Sequence, residues 1–375
     1  MPFGSEPKEA GIGLALSGGG FRATLFHLGT LWRLVELGYL GKLKRISSVS
    51  GGSITSGMLA VRWQQLAQQN FSLDAFKNLV ASKLRDFCAR NVDAPAIGEG
   101  ALLPWKSVSD AVEEEYREHL FGDALLSAIP GKNPRFVFNA TNFATGRSFR
   151  FSQPYAGDYL IGLIQNPTFR VSLAVTASSA FPPVLSPVVV KAKHSDFTKT
   201  DGADLFDPAY HERLVLTDGG VYDNLGLETV WNRYDTVLVS DAGAPFGKTA
   251  DVGKAWHEQA MRALDITTDQ ARGLRKRALI GDFEQGQRKG AYWGIMTDIA
   301  DYQLNDALPC KLERTKKLAA MRTRLNKFND EEQCDLINWG YAICDAAMRR
   351  YVLSAAEKAA AKTPQWPYPN YRLDR

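Results

Sequence analysis

Three short stretches carry the side chains and glycines that acyl-group chemistry needs. They are Ser17-Gly18-Gly19-Gly20-Phe21-Arg22-Ala23, Ser48-Val49-Ser50-Gly51-Gly52 and Asp218-Gly219-Gly220. A serine hydroxyl is a weak nucleophile until a base takes its proton. The charge that then builds on the carbonyl oxygen needs donors already in place, commonly backbone N–H groups. Ser50 suits the nucleophile. The β-branched and apolar run Ile46 to Val49 leads into it, and two glycines and a helical pattern follow, which is the setting of a nucleophile elbow. The helix behind it would turn its partly positive N-terminus toward the hydroxyl. Ser48 stands where the strict G-x-S-x-G pattern has its first glycine. The same residues also fit a Ser/Gly-rich loop capping a helix, and this turn alone does not choose between the two. Successive glycines let backbone amides approach a ligand, so Gly18, Gly19 and Gly20 suit an oxyanion hole. Arg22 adds positive charge beside them, for a phosphate or for loop structure. Asp218 ends the third apolar run and is the candidate base.

Histidine is the usual base. His27 falls inside the first helical pattern, and His119 in the charged run from Glu113 to Glu118. His194 and His211 fall in polar loops, and His257 in a late helix. None stands at a strand end beside a glycine turn, so surface or packing roles suit them better. That leaves a Ser50–Asp218 dyad with a carboxylate as the direct base.

The elements that must position these groups are legible from periodicity. Gly11 to Leu16 reads as a buried strand, followed by the glycine loop and a helical pattern through Leu25, Leu28, Leu31, Trp32 and Val35, stopped at Gly38. Arg45 to Val49 reads as the strand that delivers Ser50. Strand–loop–helix repeated twice implies a parallel sheet with covered faces. In such a sheet the C-terminal strand ends share an edge, where the three turns would converge. Phe71 to Pro130 reads as mostly helical. Within it, Ala101-Leu102-Leu103-Pro104-Trp105 fits either core or a cap that meets lipid. Arg135 to Asn142 and Ser148 to Ser152 read as a hairpin around Ala144 to Arg147. Val171 to Ala180 reads as a helix halted by Pro182-Pro183. Pro187 to Val190, Leu214 to Thr217 and Asp235 to Ser240 read as strands. From Lys254 onward helices dominate, with a hairpin or loop over Gly286 to Thr297, a basic amphipathic helix over Lys316 to Asn326 and a helix over Leu336 to Tyr351.

Taken together, the three motifs resemble those of the patatin-like phospholipase family. That family pairs a Gly-rich motif near the N-terminus with a nucleophile elbow some thirty residues later and a D-G-G/A motif bearing the catalytic aspartate. Ala177-Ser178-Ser179-Ala180-Phe181-Pro182-Pro183 is similar to the family's segment between elbow and aspartate. Ala23 replaces the glycine that closes the first motif, and Ser50-Gly51-Gly52-Ser53 leans toward the related cytosolic phospholipase A2 type. The resemblance covers residues 10–245, with 246–375 as a mainly helical extension docked on that core. It implies an α/β/α sandwich with a mainly parallel sheet, a Ser50–Asp218 dyad, an oxyanion hole at Gly18 to Gly20, and hydrolysis of lipid acyl esters without metal or other cofactor.

Composition narrows the remaining classes. The 375 residues carry a net charge of only +4, with no concentrated basic stripe, so a nucleic-acid polymer is not the expected partner. The charge tolerates an anionic membrane surface, and the resemblance makes a phospholipid membrane the expected partner. The first nine residues lack a basic start and an apolar core, and no window reaches the length of a membrane span. The four cysteines, Cys88, Cys310, Cys334 and Cys344, show neither C-x-x-C nor zinc spacing. A cytoplasmic protein, peripheral at the membrane, is the expectation. Gly18 to Ala23 also satisfies a dinucleotide G-x-G-x-x-A, but the second strand ends in Ser50-Gly51-Gly52 instead of an acidic residue. Ala242 to Thr249 imitates a phosphate loop with its first glycine missing and Pro245 removing a donor. Asp241 reads as structural or adjacent to the site, and Asp223 and Asn224 as Asx ties in the loop after Asp218. Lys316, Lys317, Arg322 and Arg324 read as a solvated face that could also touch anionic lipid. Two other functions stay open: a silent lipid-binding protein, and a membrane-degrading effector switched on by a nucleotide. A homo-oligomer also stays open.

Overall fold

The computed structural model describes residues 8–93 and 107–375. The Ala101–Trp105 stretch lies outside them.

Among the described residues, eleven strands form one mixed sheet. Strand β1 (Glu9–Leu16) lies between β2 (Leu43–Ser48) and β10 (Tyr234–Asp241), both parallel to it. β3 (Arg135–Asn142) continues the parallel order beyond β2, and β11 (Lys289–Gly294) extends it beyond β10. From β3 outward the sheet is antiparallel. β4 (Arg147–Phe151) forms the expected hairpin with β3, followed by β5 (Tyr155–Asp158), β6 (Gly162–Gln165) and β8 (Phe197–Thr198). β7 (Val188–Lys191) pairs with β9 (Arg213–Asp218), and β9 pairs antiparallel with β3.

Side chains alternate across the central strands, as a two-faced sheet requires. Leu14, Leu16, Leu238, Ala291 and Trp293 enter the main core. Ala15, Val237, Val239 and Tyr292 face a smaller second core. The main core is covered by α1 (Gly20–Glu36), α2 (Gly51–Gln68) and α3 (Val171–Ser179). The second is covered by α4 (Trp256–Glu284) through Leu279, Ile280 and Phe283. These layers make the expected α/β/α sandwich.

α1 is buried all round except at its last residue, which marks a central helix. Its second neighbour is α6 (Asp330–Tyr351), near the C-terminus. The two backbones cross closely because glycines face each other. A Cβ on Gly29 would lie 2.0 Å from the Ile337 carbonyl oxygen, and one on Gly340 1.9 Å from that of Phe26. Arg33 of α1 also reaches Asp345 of α6 at 2.7 Å, both buried.

The structure corrects two expectations in the C-terminal segment. Lys289–Gly294, read as part of a hairpin or loop, is a strand of the central sheet paired in parallel with β10. The helix expected over Lys316–Asn326 is instead α5 (Leu312–Ala319). Beyond it the chain runs irregularly past the start of α1. There its carbonyls serve other partners: Arg324 O accepts the Phe21 amide, and Leu325 O the Val92 amide at 2.9 Å. Tertiary contacts here override the local helical pattern.

Candidate active site

The glycine loop between β1 and α1, the Ser50 turn between β2 and α2, and the Asp218 turn after β9 meet at one place. The expected cause, three parallel strand ends on a shared edge, holds for β1 and β2 but not for β9. β9 runs antiparallel to β3. Ser48 ends β2 opposite Phe138, while Asp218 ends β9 opposite Ala140. β4 occupies the other edge of β3 at both Phe138 and Ala140. β2 and β9 therefore approach each other head-on along one edge of β3, with only Asn139 between their ends.

Ser50 sits at φ 52°, ψ −122°, a region that a non-glycine residue seldom occupies. That geometry turns the side chain out of the strand–helix junction. The glycines behind it are required by contact. A Cβ on Gly51 would lie 2.1 Å from the Gly20 carbonyl oxygen, and one on Gly52 2.5 Å from that of Leu16. The Ser50 side chain and the carboxylate of Asp218 line the same hollow, and Asp218 accepts the Gly220 amide on Oδ1 at 2.7 Å. Burial pushes the Asp218 carboxyl up to about 7, with Gly220 and Ser50 pulling the other way. A carboxyl poised there can accept a proton near neutral pH.

Two residues without an assigned role in the sequence reading hold the junction. Asn139 donates through Nδ2 to the Ser48 carbonyl and to Ser47 Oγ, each at 2.9 Å. The Ser178 carbonyl accepts the amides of both Ser50, at 3.1 Å, and Gly219, at 3.2 Å. Its hydroxyl also donates to Asn139 O at 2.7 Å. Ser178 thus ties the Ser50 turn to the Asp218 turn. It lies in the quoted Ala177–Pro183 run, but no local signal marks this duty. Nothing local marks Asn139 either.

The glycine loop divides. Gly18 spends its amide on the Asn224 carbonyl at 3.0 Å, so it cannot serve an oxyanion. Among the described residues the amides of Gly19, Gly20 and Gly51 make no hydrogen bond. Gly19 and Gly20 have φ 144° and 58°, which glycine tolerates. Arg22 is buried. It donates through Nη1 to the Met321 carbonyl at 2.6 Å and through Nη2 to that of Ala242 at 2.9 Å, while its Nε has no partner. Loop support is therefore what its guanidinium visibly performs. His27 is buried between Ser240 Oγ and the Ser17 carbonyl, and burial pulls it down to about 4, as befits a packing histidine. Asp241 accepts from the Gly243 amide and the Tyr292 hydroxyl, and Asp223 from the amides of Leu225 and Leu227, the structural ties expected of them.

Two hollows open on Ser50. One, about 330 Å³, runs between the glycine loop and α4 and is lined by polar groups including Arg262, Asp265, Asp269 and Arg272. The other, about 280 Å³, is bordered by Phe181, Pro182, Val184, Leu185 and Leu325 and is mainly apolar. A larger cavity of about 870 Å³ beside Tyr292 and Lys276 touches neither Ser50 nor Asp218.

A serine at the apex of a strained strand–helix turn, on an α/β/α sandwich, places the chain among proteins built on a nucleophile elbow. The chain belongs to the patatin-like phospholipase family, whose sequence profile matches residues 14–231. Lipid acyl hydrolysis is the activity that family membership implies. The fold agrees with human GIVD cytosolic phospholipase A2 bound to methyl gamma-linolenyl fluorophosphonate. That match has a TM-score of 0.51 at 17% identity and covers 94% of this chain and 58% of the other. A further structure of the human enzyme matches with a TM-score of 0.49 at 13% identity over 94% and 62% of the two chains. VipD from Legionella pneumophila matches with a TM-score of 0.40 at 15% identity over 92% and 68%. The chain thus spans about three fifths of the human phospholipase chains it resembles. No curated protein sequence matches it. Among the described residues no helix is long and apolar enough to cross a membrane.

Proposed function

We propose that the protein hydrolyses acyl esters of phospholipids at a membrane surface, as a phospholipase A or lysophospholipase, with Ser50 as nucleophile and Asp218 as its base. The observation that carries this reading is the placement of Ser50 beside the buried Asp218 carboxyl, at the meeting point of two hollows. The apolar hollow suits an acyl chain and the polar one a headgroup.

Ser50 Oγ attacks the ester carbonyl carbon while its proton passes to Asp218. The C=O electron pair moves to oxygen, where the free amides of Gly19 and Gly20 receive the charge. Collapse expels the alcohol, a lysolipid or glycerol derivative, which takes the proton from Asp218. Water then gives a proton to Asp218 and attacks the acyl-enzyme, and the fatty acid leaves as Ser50 recovers its hydrogen.

The test is mass spectrometry of the products from vesicles of mixed phospholipids. Free fatty acid and the matching lysophospholipid are expected from the wild type. Ser50→Ala is expected to lower the rate by a factor on the order of 10⁵ to 10⁶. Equal release by Ser50→Ala, correctly folded, would remove Ser50 from the reaction.

A further inference from the structure

Helix α4 lies beyond the residues that the family profile matches, yet it forms a whole wall of the polar hollow. The charged side chains it sends there are Arg262, Asp265, Asp269 and Arg272. Their spacing of three, four and three residues stacks them along one helix face. The order of signs is plus, minus, minus, plus.

These groups differ in how far they are already satisfied. Arg272 is the deepest, its side chain only 11% exposed. A Cβ on Gly243 would lie 1.9 Å from its Nη1, and its carboxylate partner Asp269 stands at 3.5 Å. Arg22, in the same hollow, keeps its Nε unpartnered. Beneath them Asp241 has committed one oxygen to the Gly243 amide and the other to the Tyr292 hydroxyl. Arg22 and Arg272 thus face Asp241 and Asp269, and the donors left unspent at the floor, Arg22 Nε and the Arg272 guanidinium beyond its one hydrogen bond to Asp269, suit one phosphodiester. Toward the mouth the balance reverses. The Asp265 carboxylate is exposed and makes no hydrogen bond or ion pair among the described residues. Arg262 nearby is turned away from it, onto the Phe246 ring at 4.2 Å and the Gly247 carbonyl at 2.7 Å.

We propose that this wall of α4 is a headgroup subsite for zwitterionic phospholipids, with Arg272 taking the phosphodiester and Asp265 and Asp269 the ammonium. The inference rests on the reading that the Ser50 site accepts phospholipid. A headgroup that is only anionic, such as phosphatidate, finds Arg272 but must also face two carboxylates of like sign. A phosphocholine or phosphoethanolamine places its cation against them. Neighbouring groups three or four residues apart on a helix sit about 5–6 Å apart, enough to address the two ends of such a headgroup separately.

The experiment is calorimetric titration of Ser50→Ala protein with dihexanoyl phosphatidylcholine and dihexanoyl phosphatidate, both below their micelle-forming concentrations. The acyl chains match and nothing is hydrolysed, so the difference reports the headgroup. Phosphatidylcholine is expected to bind at least about tenfold more tightly, a difference of about 1.4 kcal/mol. Adding Asp265→Asn, at an exposed and unpartnered position, is expected to weaken phosphatidylcholine and strengthen phosphatidate. Adding Arg272→Gln is expected to weaken both. Phosphatidate binding as tightly as phosphatidylcholine, or a preference that survives both Asp265→Asn and Asp269→Asn, would overturn the proposal. Fatty-acid release from the same lipids by the wild type reads the hydrolase separately, so preferential binding without release would fault the hydrolase reading and leave this subsite standing.

Discussion

Ser50 and Asp218 come together in one hollow because their strands meet head-on, β2 and the antiparallel β9 ending opposite Phe138 and Ala140 of the same neighbour. The approach of Ser50 to Asp218 is therefore set by one residue of β3, Asn139, and by the Ser178 carbonyl that both turns share.

Asn139→Ala and Ser178→Ala are expected to act as positioning changes. Asn139→Ala removes the bonds to Ser47 and Ser48. Ser178→Ala, which keeps the shared carbonyl, removes the hydroxyl that accepts the Ser50 amide and donates to the Asn139 carbonyl. Each leaves Ser50, Asp218 and the glycine amides in the chain but loosens the junction. A misplacement of about 1 Å at reacting groups costs about 10²-fold in rate. Steady-state kinetics on a soluble ester are expected to show kcat reduced by that order with KM little changed.

The pH dependence follows from the buried carboxyl. The base must be ionised to accept the Ser50 proton, so kcat/KM is expected to rise with pH along an acid limb centred near 7, where Asp218 loses its proton. An unperturbed carboxylate would put that limb near 4. A pH–rate profile on an uncharged ester separates the two.

The same group affects stability with a definite sign. Its folded pKa of about 7 lies above the unfolded value, so the fold favours the protonated form. The contribution is fully present below about pH 4 and is lost as pH rises toward 7. Above that the native state carries a buried charge that asparagine would not. Asp218→Asn is expected to raise the thermal midpoint at pH 8, to raise it much less at pH 5, and to abolish turnover at both. Scanning calorimetry at the two pH values checks it.

Gly340→Ala tests whether the C-terminal helix belongs to the core. Its new Cβ would press on the Phe26 carbonyl from 1.9 Å, forcing α6 away from α1. Overpacking of this kind costs about 1–3 kcal/mol. Urea unfolding is expected to show one transition at lower midpoint. Loss of α6 in a separate early transition would mean that it docks as an independent unit.

Local patterns disclosed the site better than the sheet around it. Ser50, Asp218 and the glycine loop were legible because each is a strand, a tight turn and small residues in immediate succession. The direction of β9 was not, since it depends on the antiparallel excursion from β4 to β8, which no local period records. β11 escaped because Lys289-Gly290-Ala291-Tyr292-Trp293-Gly294 is short and carries glycines at a position where β10 presses closely. Lys316 to Asn326 carries a helical pattern, but Arg22 and Phe21 claim its carbonyls from across the fold. Gly18 looked equivalent to Gly19 and Gly20 until the Asn224 carbonyl took its amide. The charged wall of α4 carries an ordinary solvent-face pattern, and only its placement in the hollow that Ser50 lines sets it apart.

Activation of Ser50 by Asp218 is read from the rate at which a fluorophosphonate forms an adduct, followed by intact mass and peptide mapping. The wild type is expected to carry one adduct on Ser50. Folded Asp218→Asn is expected to react more slowly by a factor on the order of 10³ to 10⁴. An Asp218→Asn protein labelled at the wild-type rate, or a wild-type adduct on any residue other than Ser50, would contradict it.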